Sequence, residues 1–179
     1  MIKKSFFSSF VFCNIFRLIK IFPNNDPIMA FILPYSRTEK WWKPVLFAII
    51  TMVLFDFITL KVGIWTIGTA LTYGLVALLF VKFFKNKKAS MKRYIGGGTF
   101  GIILFDFITG PIMSSFFFKM PFQMALFGQI PFTLMHLSSG IILISIITPI
   151  VDPDLRKSLQ LIILNTYNRF KEMLITIQF

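Results

Sequence analysis

The chain predicts an all-α polytopic membrane protein, and three observations carry that prediction. Of its 179 residues, 56% are hydrophobic and 24 are phenylalanine, more apolar surface than a water-soluble domain of this size can bury. The apolar residues come in blocks, Val45–Leu60, Ile64–Val81, Tyr94–Met113 and Ile130–Val151, each about long enough to cross a ~30 Å hydrocarbon core as a helix. The net charge of +12 is gathered in the links between blocks instead of along one face, which argues against nucleic acid as a partner.

Six transmembrane helices plus a C-terminal amphipathic helix fit the pattern. The first, Ser5 to Phe22, has the basic start and apolar run of a signal peptide, but no small-x-small cleavage site follows, so a retained helix is expected. It ends at Pro23-Asn24-Asn25-Asp26, a turn-rich cluster in which Asp26 can cap a helix starting at Pro27. The second segment, Pro27 to Tyr35, is short for a crossing and reads equally as tilted, extended towards Arg37 or re-entrant. The third spans Trp42–Leu60, the fourth Gly63–Phe83, the fifth Tyr94–Pro111 and the sixth Ile130–Val151. The stretch Met113–Gln129 is too apolar for a water-washed loop and is expected to pack as a lid. Beyond Val151, Asp152 and Pro153 make an N-cap and first helical position. Leu155, Leu159, Ile162, Ile163, Phe170, Leu174 and Ile177 then form the apolar stripe of a surface helix. The chain thus divides into a six-helix domain, 1–154, and a tail helix, 155–179.

Charge sets the topology. With a cytoplasmic N-terminus, Lys3, Lys4, Arg37, Lys40, Lys43, Lys82, Lys85, Lys87, Lys88, Lys92, Arg93, Arg156 and Lys157 lie inside, and Lys61 and Lys119 lie in opposite loops. That is the positive-inside bias. Trp41, Trp42, Tyr94 and Trp65 occupy positions of interfacial anchors. The lone Cys13 excludes an internal disulfide, and the bulky Phe12 before it excludes a lipoprotein anchor.

The hexapeptide LFDFIT occurs twice, at Leu54–Thr59 and Leu104–Thr109, and each copy puts an aspartate in an apolar span. Asp56, Asp106 and Arg17 each stand thirteen residues beyond a basic residue at a cytoplasmic helix end, Lys43, Arg93 and Lys4, or about 20 Å of helical rise. His136 and Thr69 reach a similar level on descending spans. Charges at helix centres cost about 2.5–3.5 kcal/mol each on insertion scales, so this layer requires partners or water. Arg17 bridging Asp56 and Asp106 is the simplest arrangement, and it reads either as a device fixing helix register or as the floor of an outward-facing cavity rimmed by Asn24, Asn25, Asp26 and Trp65. His136 reads as a satisfied interior imidazole or as a ligand contact, with no metal site implied. Ser5, Ser9 and Cys13, four residues apart, and Gly96, Gly97, Gly98 and Gly101 mark faces where helices approach closely.

The order of features resembles a known family. An arginine in the first helix, PNNDPIMAFILP, a span ending in FDFIT, GIWTIGTALTYGLVALLF and IPFTLMHLSSGIILISIITPIV are together similar to the substrate-binding S component of energy-coupling-factor (ECF) vitamin transporters, over about residues 15–152. The resemblance implies a binding subunit in a prokaryotic cell membrane, with both termini cytoplasmic, that captures one small water-soluble vitamin or precursor at its outer face. It implies a transmembrane T component and two cytoplasmic ATPases as partners, no catalytic residues and no cofactor. Consistent with an absent motor, the chain has no G-x-x-x-x-G-K-[ST] loop. The family's ligand-lining regions map to Asn24, Asn25 and Asp26, to Trp65, Thr69 and Tyr73, and to Asp106, Gln129 and His136, with Arg17 in the same layer; its coupling stripe maps to Ser5, Ser9 and Cys13. Two other classes compete. An intramembrane aspartyl enzyme is disfavoured because neither LFDFIT copy has a G-x-G-D context and an arginine at the same depth keeps both carboxylates ionised. An autonomous small-solute carrier rests only on the one-motif repeat.

Overall fold

The computed structural model describes residues 2–19 and 26–177, and among these the chain is helical with no strand. Eight α-helices follow one another: α1 Ile2–Ile19, α2 Ile28–Thr38, α3 Trp42–Ile58, α4 Ile64–Phe84, α5 Met91–Phe107, α6 Met113–Phe118, α7 Phe122–Val151 and α8 Pro153–Ile177. A π-helical turn, Ile108–Ile112, joins α5 to α6 so that Met91–Phe118 runs as one 28-residue helix. This stretch, α4 and α7 are each long and apolar enough to cross a membrane, and α1 contributes a shorter apolar stretch, Phe6–Ile19. Ile67, Leu71, Leu75 and Leu78 are exposed along one face of α4, a stripe that suits lipid better than water.

The short second segment has a definite answer. Ile28 to Ser36 are buried without interruption, so α2 is the central post of the bundle, packed against α3, α4, α5 and α7. Its 11 residues make about 16 Å of rise, and a helix apolar on every side belongs inside. Thr148 Oγ1 on α7 donates to the Ala30 carbonyl at 3.2 Å, tying the post to the longest helix.

Two hairpins surround it, α3 with α4 and the α5–α6 helix with α7. The glycines of α5 explain how closely the second packs: a Cβ on Gly98 would lie 2.2 Å from Ile144 Cδ1 of α7, and one on Gly101 would lie 2.5 Å from Phe80 Cζ of α4. The expected lid over 113–129 is not a separate layer. Pro111 is absorbed by the π-helical turn, which relaxes the clash a proline ring makes with the carbonyl four residues back, and the chain reverses at Lys119, whose φ of 56° lies in the left-handed region. By Phe122 it is helical again, and it passes Pro131 and Pro149 without ending. The lid is therefore the tip of the second hairpin.

At the other end of the bundle, Asp152 caps α8 as the sequence implied, its Oδ1 accepting from Asp154 N at 2.9 Å and Leu155 N at 3.2 Å. Arg37 Nε and Nη2 hold the same carboxylate at 2.8 Å each, and the Tyr94 hydroxyl donates to it at 2.5 Å. Burial alone raises a carboxyl's pKa, but the hydrogen bonds from Arg37 and Tyr94 outweigh it and hold Asp152 below the usual carboxylate range. Tyr94 is accordingly buried, not an interfacial anchor, whereas Trp41 and Trp42 are exposed. Beyond Leu155, α8 leaves the core, with Leu159, Ile162, Ile163 and Phe170 exposed.

Candidate functional site

Midway along α4, the Tyr73 hydroxyl donates to Asp26 Oδ2 at 2.5 Å. Asp26 also accepts from Ile28 N at 2.9 Å through Oδ1, capping α2. Arg17 of α1 reaches the same carboxylate, Nη2 lying 3.9 Å from Asp26 Oδ2 and 3.2 Å from Met52 Sδ. Its guanidinium lies 4.0 Å above the Phe55 ring, a cation–π contact strengthened by burial. Tyr73 also packs on Phe105, with ring centroids 4.0 Å apart. Next to Phe105 in the chain, Asp106 receives His136 Nδ1 of α7 at 2.9 Å. Phe105 and Phe132 stand edge-on to the imidazole, with centroids 6.1 and 6.2 Å away. Arg17, Asp26 and Tyr73 thus form one polar group and Asp106 with His136 a second, the two joined through the Phe105 ring into a cluster drawn from α1, α4, α5, α7 and the residue that caps α2.

Burial makes this cluster unusual. Asp106 is 1% exposed and His136 3%. Among the described residues, Asp106 Oδ2, His136 Nε2 and Arg17 Nη1 are buried with no hydrogen-bond partner. An orphaned buried polar atom costs about 1–3 kcal/mol, more for a charged group, and such a concentration is a mark of function over stability.

Asp56 is placed differently from the sequence expectation. No ion pair joins Arg17 to Asp56 or to Asp106 among the described residues. Instead, Thr66 Oγ1 donates to Asp56 Oδ2 at 2.6 Å while accepting from Gly63 N at 3.1 Å, and Lys61 N donates to the Asp56 carbonyl at 2.8 Å. The carboxylate locks the α3–α4 turn. Counting from basic residues misplaced it because the helices do not start at one level. On α4, Asp56 meets Thr66, whereas Phe105, next to Asp106, meets Tyr73. Those two positions are seven residues apart, about 10 Å of rise.

The remaining sequence-singled residues divide. Thr69 is buried but bonded within its own helix, donating to the Trp65 carbonyl at 2.9 Å. Trp65 is half-buried and meets Phe118 with centroids 5.6 Å apart, joining the tips of the two hairpins. Gln129 donates to Thr133 Oγ1 at 3.4 Å, packs at Gly110, and lines an apolar groove of about 200 Å³ with Ile103, Phe107 and Leu126. It lies outside the cluster. Cys13 is fully buried, so it faces the bundle and not a partner. Ser9 is half-buried. The side chain of Ser5, and Asn24 and Asn25, lie outside the described residues. Sequence reasoning missed that Asp26 belongs in the deep cluster and not at a rim; the signal was its place one residue before Pro27, where a cap ties it to a buried helix. Among the described residues, no group of three or more His, Cys, Asp or Glu side chains is arranged to hold a metal ion. No protein-family model, no curated protein and no solved structure matches the chain.

Proposed function

We propose that this chain is the membrane-embedded substrate-binding subunit of an ECF-type importer, capturing a small water-soluble vitamin or precursor. In this reading it crosses a prokaryotic cell membrane six times with both termini cytoplasmic, α2 serving as a short embedded crossing, and works with a T component and two ATPases. The observation that carries the proposal is the buried Arg17–Asp26–Tyr73–Asp106–His136 cluster with its three unpartnered atoms. Ionisable groups inside an apolar bundle are expensive, and their usual reason is a substrate or ion path. A few polar groups set among aromatic side chains are what a small-molecule site requires.

The depth of Asp26 supports outward access. Tyr73 is midway along α4, so Asp26, which it contacts just before α2, lies at mid-depth of the bundle. The Trp65–Phe118 contact joins the two hairpin tips about two helical turns further along α4.

Co-purification and uptake test the assignment. Gentle affinity isolation from the native membrane is expected to bring down a polytopic partner and two nucleotide-binding subunits, and deleting the latter is expected to abolish uptake. Uptake that survives without any ATPase contradicts the importer subunit and favours an autonomous carrier.

A further inference from the structure

We infer that the ligand of this site is a small organic cation that donates hydrogen bonds, such as an amine, an amidine or a protonated amino-heterocycle, in preference to an anion. The inference rests on the binding-subunit reading above and adds the charge of the ligand to it.

The charges in the cluster do not balance. Among the described residues it holds one fixed cation, Arg17, against two carboxylates, Asp26 and Asp106, so with a neutral imidazole it is net negative. Asp26 is provided for: Tyr73, Ile28 N and Arg17 all face it. Among the described residues Asp106 has His136 alone, and its Oδ2 has no partner. A neutral imidazole that donates Nδ1–H to a carboxylate presents Nε2 as a lone-pair acceptor, and His136 Nε2 is also buried and without a partner among the described residues. Two orphan acceptors on one dyad call for a donor. The single orphan donor, Arg17 Nη1, belongs to a guanidinium already matched by Asp26 and seated on the Phe55 face.

Surroundings point the same way. In a low-dielectric interior an unmatched carboxylate is costly, and a cation beside it recovers that energy. Phe105 and Phe132 flank His136 and Tyr73 packs on Phe105, so aromatic rings keep the dyad in low-dielectric surroundings. Lys61 and Lys119 are exposed, where salt screens their charge.

Titration calorimetry on the purified full chain in detergent, with the near-isosteric probes benzamidinium, benzamide and benzoate and a panel of water-soluble vitamins spanning both charges, tests this. Benzamidinium is expected to bind at least about tenfold more tightly than benzamide, as a charged hydrogen bond implies, with benzoate weakest and cationic vitamins ahead of anionic ones. Asp106→Asn is expected to erase the preference while thermal unfolding stays cooperative; if that variant does not fold, the ranking on the unaltered protein decides alone. Equal affinity for benzamidinium and benzamide, the result if His136 already carries the balancing proton, or a preference for benzoate, overturns the charge inference and leaves the binding-subunit reading standing. Absence of binding by every probe and every vitamin overturns both.

Discussion

Asp56 and Asp106 stand in identical hexapeptides and serve different ends. In both copies the threonine three residues on returns its hydroxyl to the phenylalanine carbonyl of the same turn, Thr59 to Phe55 and Thr109 to Phe105, at 2.8 Å each. What differs is the continuation. Leu60, with φ of 56°, turns the first copy into a hairpin, whereas Gly110 and Pro111 carry the second through a π-helical turn into α6. Asp56 therefore ends a helix and Asp106 sits within one. That two spans each carried a buried carboxylate was legible in the hexapeptide; which partner each one finds was not, because partners are set by long-range register. Thr66→Val, which leaves Asp56 without its donor, is expected to destabilise the protein by about 1–3 kcal/mol, read from denaturant or thermal unfolding in detergent. Thr66→Ser restores most of the loss, and ligand affinity stays within about twofold, since small local changes away from a site couple weakly to it.

Helices, as elements, were readable wherever apolar periodicity was long, as in α3 and α4. They were misread where the fifth span was ended at Pro111 and the sixth begun beside Pro131. Both prolines lie inside helices, as does Pro149, which the expected sixth span already ran through, because a long apolar helix packed on neighbours tolerates the lost hydrogen bond that ends a marginal one. The glycine run of α5 was legible as a close-approach face, and its members are unequal. Gly98→Ala, which pushes on Ile144 Cδ1, is expected to cost about 1–3 kcal/mol, whereas Gly96→Ala meets nothing within 4 Å and should be neutral or stabilising by up to about 1 kcal/mol. Thermal melts of the two variants separate them. The anchor of α8 is pH-sensitive in one direction. Asp152 has a depressed carboxyl pKa in the folded chain, so its contribution is complete above the unfolded value of about 4 and disappears as pH falls through the lower folded value. Limited proteolysis should find α8 protected at neutral pH and released in acid, and Asp152→Asn should release it at both.

For the molecule as a whole, composition already implied a helical bundle with apolar helices exposed to lipid. The buried post α2 was not foreseeable as such, since a short apolar segment reads alike as a core helix and as a partial crossing. The six-crossing topology has its own test. Cys13 is the sole cysteine and is fully buried, so single added cysteines report cleanly: Lys119→Cys should react with an impermeant maleimide on intact cells, and Lys88→Cys only after permeabilisation. The reverse pattern inverts the proposed orientation. The central claim is that the Arg17–Asp26–Tyr73–Asp106–His136 cluster holds a small molecule, and mass spectrometry of compounds released from gently purified protein addresses it most directly. One recurrent vitamin-sized species, abundant in the unaltered protein and depleted in a folded Asp106→Asn variant, is the predicted result; no enriched species, or one equally abundant in both proteins, contradicts it.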